Sequence, residues 1–134
     1  MDVRVGFDPA FNPGSGSRPQ LPEDSILALV DTGATISCID TSLVARLNLP
    51  FVDEQPFGGM AGSSVRPMHL AQIRVPALNF NLYGRFAAVD LLGGNQPHMV
   101  LLGRTFLHRF RMVYEGRTGS VVIENESAII EPQS

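Results

Sequence analysis

The sequence predicts a mainly β protein, a small closed β-barrel with one or two short helices. Short apolar stretches of strand length follow one another at close spacing, and glycine- or proline-rich turns separate them. The length of 134 residues and a hydrophobic content of 44% fit one domain with a modest core. We therefore expect a single domain over 1–134, with its core at about 22–124, a loop at 8–22 and a tail at 125–134.

The first elements are two strands separated by a long loop. Alternation of apolar with polar or small residues predicts a strand at Val3–Phe7. Prolines, glycines and serines crowd Asp8–Pro22, which predicts a loop, either a plain surface turn or a processing or gating segment. The apolar run Ile26–Val30 predicts the next strand.

A short helix is predicted at Thr41–Leu47. Asp40 or Thr41 can cap its N-terminus, and apolar residues recur on one face. Asn48 suits a left-handed terminator and Pro50 blocks continuation, so the helix ends there.

From Phe51 onward strands and turns fill the chain. A glycine-rich tip at Phe57–Ser64 separates two strands. The further predicted elements are strands at Leu70–Val75, Leu78–Leu82 and Arg85–Val89, a turn at Gly93–Pro97, a strand at Met99–Leu102 buried on both faces, one or two helical turns at Thr105–Phe110 and a hairpin at Met112–Ile123.

Composition limits the classes of partner and compartment. The net charge is -3 and no basic run interleaves with aromatic residues, so nucleic-acid binding is not expected. No apolar run approaches the length of a membrane-spanning helix, and the N-terminus lacks the pattern of a secretory signal. We expect a cytoplasmic protein or a soluble domain of a larger protein.

No metal or organic cofactor is expected. His69, His98 and His108 lack the spacing of a zinc site. Cys38 is the only cysteine, which excludes an intramolecular disulfide. A lone cysteine in an apolar stretch is typical of a small core residue, with a reactive thiol as the alternative.

The candidate catalytic group is Asp31, which follows three apolar residues at the predicted end of a strand. The Thr32 hydroxyl can hydrogen-bond, and Gly33 allows a sharp turn that brings its N–H close to the carboxylate. Asp-Thr-Gly is also sensible chemistry for a simple turn. The chain has one such segment, so a second catalytic aspartate would have to come from another copy.

Three motifs in order resemble those of retroviral-type aspartic peptidases. Leu29–Ala34 resembles their active-site triplet, Gly58–Gly62 their glycine-rich flap tip, and Leu101–Leu107 their apolar-apolar-Gly-Arg segment. The chain thus resembles a retropepsin-like domain over roughly 22–124, and the helix at Thr41–Leu47 is more typical of cellular and bacterial members.

The resemblance implies the closed barrel of a single-lobe acid protease and an aspartic endopeptidase active as a homodimer. Two copies of Asp31 would share a proton and activate a water that hydrolyses the peptide bond. Thr32 is expected to link the two active-site loops, and Gly33 to hold the carboxylate. The expected substrates are extended peptides with apolar residues around the cut.

The resemblance also implies residues that bind the substrate. The alternative is a plain hairpin tip for the glycine-rich segment and simple core packing for the apolar residues. The expected substrate-binding residues are Ala34, Thr35, Gly58, Gly59, Met60, Met99 and Leu101. Leu102, Gly103 and Arg104 form the structural motif. Viral enzymes carry an aspartate where Thr35 stands, so we expect Arg104 either to have another partner or to serve only as a structural donor.

Two other interpretations stay open. The first is a retropepsin-like fold that no longer cuts and serves as a dimerisation or peptide-binding module. The second is an all-β interaction domain whose motif matches are accidental. The intact Asp31, Thr32 and Gly33 favour the enzyme.

Overall fold

The computed structural model describes residues 1–59, 62–93 and 97–124. Its strands are β1 (Asp2–Gly6), β2 (Ile26–Val30), β3 (Cys38–Asp40), β4 (Phe51–Gly59), β5 (Gly62–Val75), β6 (Phe80–Val89), β7 (Val100–Leu102), β8 (Arg111–Glu115) and β9 (Ser120–Glu124). The helices are α1 (Thr41–Arg46) and α2 (Arg104–Leu107), with 3₁₀ turns at Pro13–Ser15 and Pro76–Leu78. None of the helices in these ranges has the length and apolar content needed to cross a membrane.

Seven strands form one sheet in the order β1-β2-β7-β3-β6-β5-β4. Because β1 also pairs with β5, the first six of these strands close into a barrel, and β4 extends from β5 as an outer arm. Closure removes the open edges that a flat sheet of this size would expose. The predicted class, mainly β with a small closed barrel and short helices, is confirmed.

Strand β7 lies between β2, which runs parallel to it, and β3, which runs antiparallel. Leu101 of β7 faces Leu29 on one side and Cys38 on the other. Since parallel strands end at the same edge of a sheet, the residues after β2 and after β7 meet at one end of the barrel.

The core fills the barrel and extends beneath the two helices. In β2, Ile26 and Ala28 are buried whereas Leu27 and Leu29 are exposed, as alternation predicts for a strand with one inner face. The largest buried side chains include Phe86, Phe106, Ile39, Leu43, Ile73 and Leu102. Ile39 and Leu102 of this set anchor β3 and β7, two of the elements that carry the residues considered below.

The helix prediction is confirmed in its main features. Helix α1 ends one residue earlier than predicted, at Arg46, and the Asp40 carboxylate caps it by accepting the N–H of Ser42. Asn48 has a φ of 50°, the left-handed geometry expected of a terminator.

Two strand predictions were wrong in extent. Leu78–Leu82 and Arg85–Val89 were predicted as separate strands, but β6 runs unbroken through Gly84, and Leu78 lies in a 3₁₀ turn. Gly84 pairs in register with Ala71, so the long partner β5 carries the ladder across the glycine. Tertiary pairing here overrides the local tendency of glycine to interrupt a strand.

Three further predictions can be compared with the structure, whereas the turn predicted at Gly93–Pro97 lies mostly outside the described residues and the tail at 125–134 lies wholly outside them. In β7, Val100 and Leu102 are buried but Leu101 is only half-buried, so burial on both faces is incomplete. The C-terminal hairpin is confirmed as β8–β9, a separate two-stranded sheet. The predicted loop after β1 is folded against β5, because the buried Gln72 amide bonds the backbone N–H and C=O of Asp8.

Candidate active site

Asp31 begins a tight turn at the end of β2. Its backbone N–H donates to the Leu102 carbonyl at 3.0 Å, which ties the turn to β7. The Gly33 N–H donates to the Asp31 Oδ1 at 2.8 Å, as the sequence predicted, and Ala34 N–H closes the turn on the Asp31 carbonyl at 3.3 Å. The half-buried carboxylate is therefore oriented by its own backbone at the rim of the barrel.

The loop that follows Asp31 lies directly against Gly103. A Cβ atom at Gly103 would stand 2.6 Å from the Ala34 carbonyl oxygen and 2.9 Å from that of Ile36. The loop is fixed in this position by the N–H groups of Arg104 and Thr105, which donate to the carbonyls of Ala34 and Thr35 at 2.8 and 3.3 Å. Gly103 is required for this close approach of two backbones.

The hydroxyls of Ser37 and Thr105 fix the same loop, and the sequence reasoning missed both residues. The Ser37 Oγ accepts the Gly103 N–H at 3.0 Å and lies 2.9 Å from the Thr105 Oγ1, which in turn accepts the Ser37 N–H at 3.2 Å. Ser37 is completely buried. The one signal in the sequence is a hydroxyl residue inside the otherwise apolar run Ile36–Ile39.

Arg104 finds its partner in Thr35. The guanidinium Nη2 donates to the Thr35 Oγ1 at 2.7 Å, and both side chains are exposed. The hydroxyl thus occupies the place where viral enzymes were expected to supply a carboxylate. The bond connects the loop after Asp31 to the start of α2 without a buried charge pair.

A cleft of about 560 Å³ opens next to this loop. One wall is the loop Gly33–Ile36, and the facing wall is formed by strands β4 and β5, here called the two arms. The floor between the walls is lined by Cys38, Val89, Leu91 and Leu101. The wall formed by the arms is lined by Pro56, Phe57, Ser64 and Arg66. A cleft of this size that is mostly apolar suits an extended peptide or another small apolar ligand.

The structure brings some of the expected substrate-binding residues together but not all. Ala34, Thr35 and Leu101 line the cleft. The Met99 side chain packs against the main core instead and is absent from the cleft lining. The backbones of Gly58 and Gly59 end β4 at the outer end of the arms, and Met60 lies outside the described residues.

Asp40 lies behind the cleft and was predicted only as a helix cap. Its Oδ1 accepts the N–H groups of Leu91 and Leu92 at 2.8 and 2.9 Å, and its Oδ2 accepts the N–H and hydroxyl of Ser42. Burial opposes ionisation of this carboxyl, but these hydrogen bonds outweigh it and hold its pKa below the usual value. Asp40 thereby positions Leu91, a residue of the cleft.

Cys38 is a core residue, as the sequence predicted. It packs with Met68 and Ala87, and one face of it contributes to the cleft floor. Burial raises the pKa of its thiol to about 11, although the nearby positive charge of Arg66 acts in the opposite direction. A thiol with this pKa is not a nucleophile at neutral pH.

The histidines make structural contacts. His98 is buried, His69 Nδ1 lies 2.9 Å from the Leu49 carbonyl, and His108 Nδ1 lies 3.0 Å from the Arg104 carbonyl. Within the described ranges, His, Cys, Asp and Glu side chains do not gather in any group of three that could bind a metal ion.

Asp31 itself borders a second space, an apolar hollow of about 840 Å³. The hollow lies between β2 and the β8–β9 hairpin, and Thr32 also lines it. Its exposed apolar side chains, here called the hairpin face, are Leu29, Met112, Tyr114, Val121 and Val122. Contiguous exposed apolar surface of this kind is typical of protein interfaces.

Comparisons with known proteins agree with this geometry. Residues 20–109 match a family model described as "gag-polyprotein putative aspartyl protease". Among solved structures, the EIAV protease complexed with the inhibitor HBY-793 is similar, with a TM-score of 0.55 and 18% sequence identity over 81% of this chain and 83% of that chain. No curated protein matches the chain.

Proposed function

This chain belongs to the gag-polyprotein aspartyl protease family, with a retropepsin-like fold, and we propose that it is an aspartic endopeptidase active as a homodimer with one Asp31 from each subunit. The position of Asp31 carries the proposal. Asp31 borders the hollow that contains the hairpin face, and Gly33, which donates its N–H to the Asp31 carboxylate, lines the mostly apolar cleft. A single subunit therefore offers half of a two-carboxylate site at the border of a surface suited to a second copy.

The proposed chemistry needs no cofactor. Two Asp31 carboxyls brought close together cannot both ionise cheaply, so the pair holds one proton. The ionised member takes a proton from a water, whose oxygen bonds to the scissile carbonyl carbon, while the protonated member donates to the carbonyl oxygen. The C–N bond then breaks as the amine nitrogen takes up a proton. Mildly acidic conditions, which favour the singly protonated pair, should give the highest activity.

The hairpin face is the proposed contact between subunits. Strands β8 and β9 pair only with each other in the described chain, and their residues are almost all exposed. An isolated two-stranded sheet with apolar side chains is marginal in water, so burial against the same face of a second copy would stabilise it. Thr32, exposed beside Asp31, would then meet its counterpart near the two-fold axis.

The cleft lining supports extended peptides as substrates. Ala34 and Leu101 offer apolar contacts on the loop and floor, and Phe57 does so on the arm. The two arms, β4 and β5, pair in register up to Gly59 and Gly62, which suits a flap whose backbone meets a peptide from above.

The test is cleavage of a diverse peptide library between about pH 4 and 7 by the wild type and by Asp31→Asn, both at high protein concentration. Asp24→Asn is the matched control, because Asp24 is exposed and its loss removes the same charge. Cuts by the wild type and the control but not by Asp31→Asn would support the peptidase.

The same experiment discriminates the catalytically silent module. If the wild type is folded and dimeric by sedimentation, binds peptides and yet makes no cuts above the level of Asp31→Asn, the endopeptidase proposal is wrong. A protein that stays monomeric at high concentration would contradict the homodimer, because one Asp31 cannot form the pair.

A further inference from the structure

We propose that Arg66 selects an acidic side chain of the substrate in the cleft beside Asp31. This inference rests on the proposed function in that the ligand is a peptide in the active-site cleft. It refines the expectation of extended peptides with apolar residues around the cut by assigning one subsite a charge.

Arg66 lies on the arm that covers the cleft. It belongs to β5, opposite Gln55 of β4, and its half-buried side chain lines the cleft. It is the one charged residue of that lining within the described chain, where its neighbours include Phe57, Val89 and Leu91. A guanidinium in this setting has lost part of its hydration to an apolar wall.

Within the described chain, the Arg66 side chain has no ion pair or hydrogen bond, and only its backbone is paired, with Gln55. Two other arginines have side-chain partners: Arg85 pairs with Asp53, and Arg104 donates to Thr35. The guanidinium of Arg66 is close enough to the floor that its charge acts on the Cys38 thiol, against the larger effect of burial. A cation with this placement is available to whatever occupies the cleft.

A substrate carboxylate is the partner that this arrangement favours most. Arginine presents parallel N–H donors that match the two oxygens of Asp or Glu, and such a charge-assisted pair is stronger where water is partly excluded. A lysine or arginine side chain would be repelled. In the proposed homodimer each half of the cleft contains one Arg66, so acidic residues can be selected on either side of the cut.

The experiment scans one cleavable peptide with Glu or Gln at each position around the cut. For the wild type, kcat/KM at one or two positions should be about tenfold higher with Glu, because the pair is charge-assisted but only partly shielded. Arg66→Gln should cut the Glu and Gln peptides equally, Arg66→Lys should keep part of the preference, and Arg66→Glu should favour a Lys peptide.

Arg85→Gln is the matched control, because it removes the same charge from an exposed position paired with Asp53. It should keep the wild-type preference. A melting temperature for each variant within a few degrees of the wild type verifies the fold. If the wild type cuts Glu and Gln peptides equally at every position, the role of Arg66 is wrong while the peptidase stands.

A measurement of peptide binding tests this inference independently of the proposed peptidase activity. Peptide affinities of Asp31→Asn, alone and combined with Arg66→Gln, are measured by calorimetry without turnover. A preference for Glu that disappears with Arg66→Gln supports the subsite even if the wild type never cuts. Equal affinities for Glu and Gln peptides overturn it.

Discussion

Gly103 determines how closely the loop of Asp31 can approach the end of β7. The missing side chain lets the carbonyls of Ala34 and Ile36 come within the space that a Cβ would fill. Ser37 and Thr105 then fix the approach with hydrogen bonds, one of them to the Gly103 N–H itself. The orientation of Asp31 is thus the result of a backbone contact made about seventy residues later in the chain.

We expect Gly103→Ala to displace this loop. Its Cβ would meet backbone atoms that cannot rotate away, so the free energy of unfolding should fall by about 1–3 kcal/mol. The kcat/KM for peptide cleavage should also fall, because the displaced loop carries Asp31. Urea denaturation and kcat/KM measure the two effects. Gly84→Ala is the control, since a Cβ there has no atom within 4 Å; an equal loss in both variants would contradict the argument.

Asp40 is a buried carboxylate held by four hydrogen bonds, and its stability contribution depends on pH. The folded-state pKa lies below the usual 3.8, so the stabilisation is complete above that value and is lost as the pH falls through the folded pKa. Its partners join α1 to Leu91 and Leu92. Acid should therefore loosen one side of the cleft.

We expect Asp40→Asn to reduce the free energy of unfolding by about 1–3 kcal/mol at neutral pH, because the amide cannot accept all four hydrogen bonds. The difference from the wild type should be constant above about pH 4 and should shrink in more acidic solution. Urea denaturation at several pH values measures it. A difference that does not change with pH would show that the charge of Asp40 is unimportant.

Among elements, the β8–β9 hairpin combines exposure with apolar character. It is joined to the barrel by α2, whose Phe106 is buried beside Phe80 and Phe110, so its base is rigid. The hairpin faces the hollow next to Asp31. This location would connect the proposed subunit assembly with the proposed chemistry.

A charge on the hairpin face should separate the proposed dimer. We expect Val121→Asp to weaken self-association at least about tenfold, because two like charges would approach each other across the two-fold axis. Sedimentation velocity measures it, with circular dichroism as the check on folding. Val52→Asp is the control, an exposed valine on β4; the same loss in both variants would contradict an interface at the hairpin.

The elements also show where local sequence patterns were insufficient. Alternation located β2, and the cap Asp40 and the terminator Asn48 located α1. Two strands were predicted at Leu78–Leu82 and Arg85–Val89, but the long pairing of β5 with β6 joins this region into one strand. Capping is a contact between near neighbours in sequence, whereas strand length depends on a partner that the local pattern does not contain.

At the scale of the whole molecule, one chain contributes one Asp31, so activity should depend on subunit concentration. Where monomer predominates, the total rate should rise with the square of the concentration, because only dimers cut. A dilution series of the cleavage rate beside sedimentation equilibrium tests this. Constant specific activity across the range in which sedimentation shows dissociation would contradict the shared site.

The sequence by itself determined the barrel class and the candidate Asp31, since these follow from local patterns and from the order of the motifs. Its single Asp-Thr-Gly segment is also the basis on which a second copy is proposed. Tertiary structure alone decided that Ser37 and Thr105 fix the loop, that Thr35 receives Arg104, and that Arg66 faces the cleft. Such contacts join residues far apart in the chain, and their distances are set by how the strands close into the barrel.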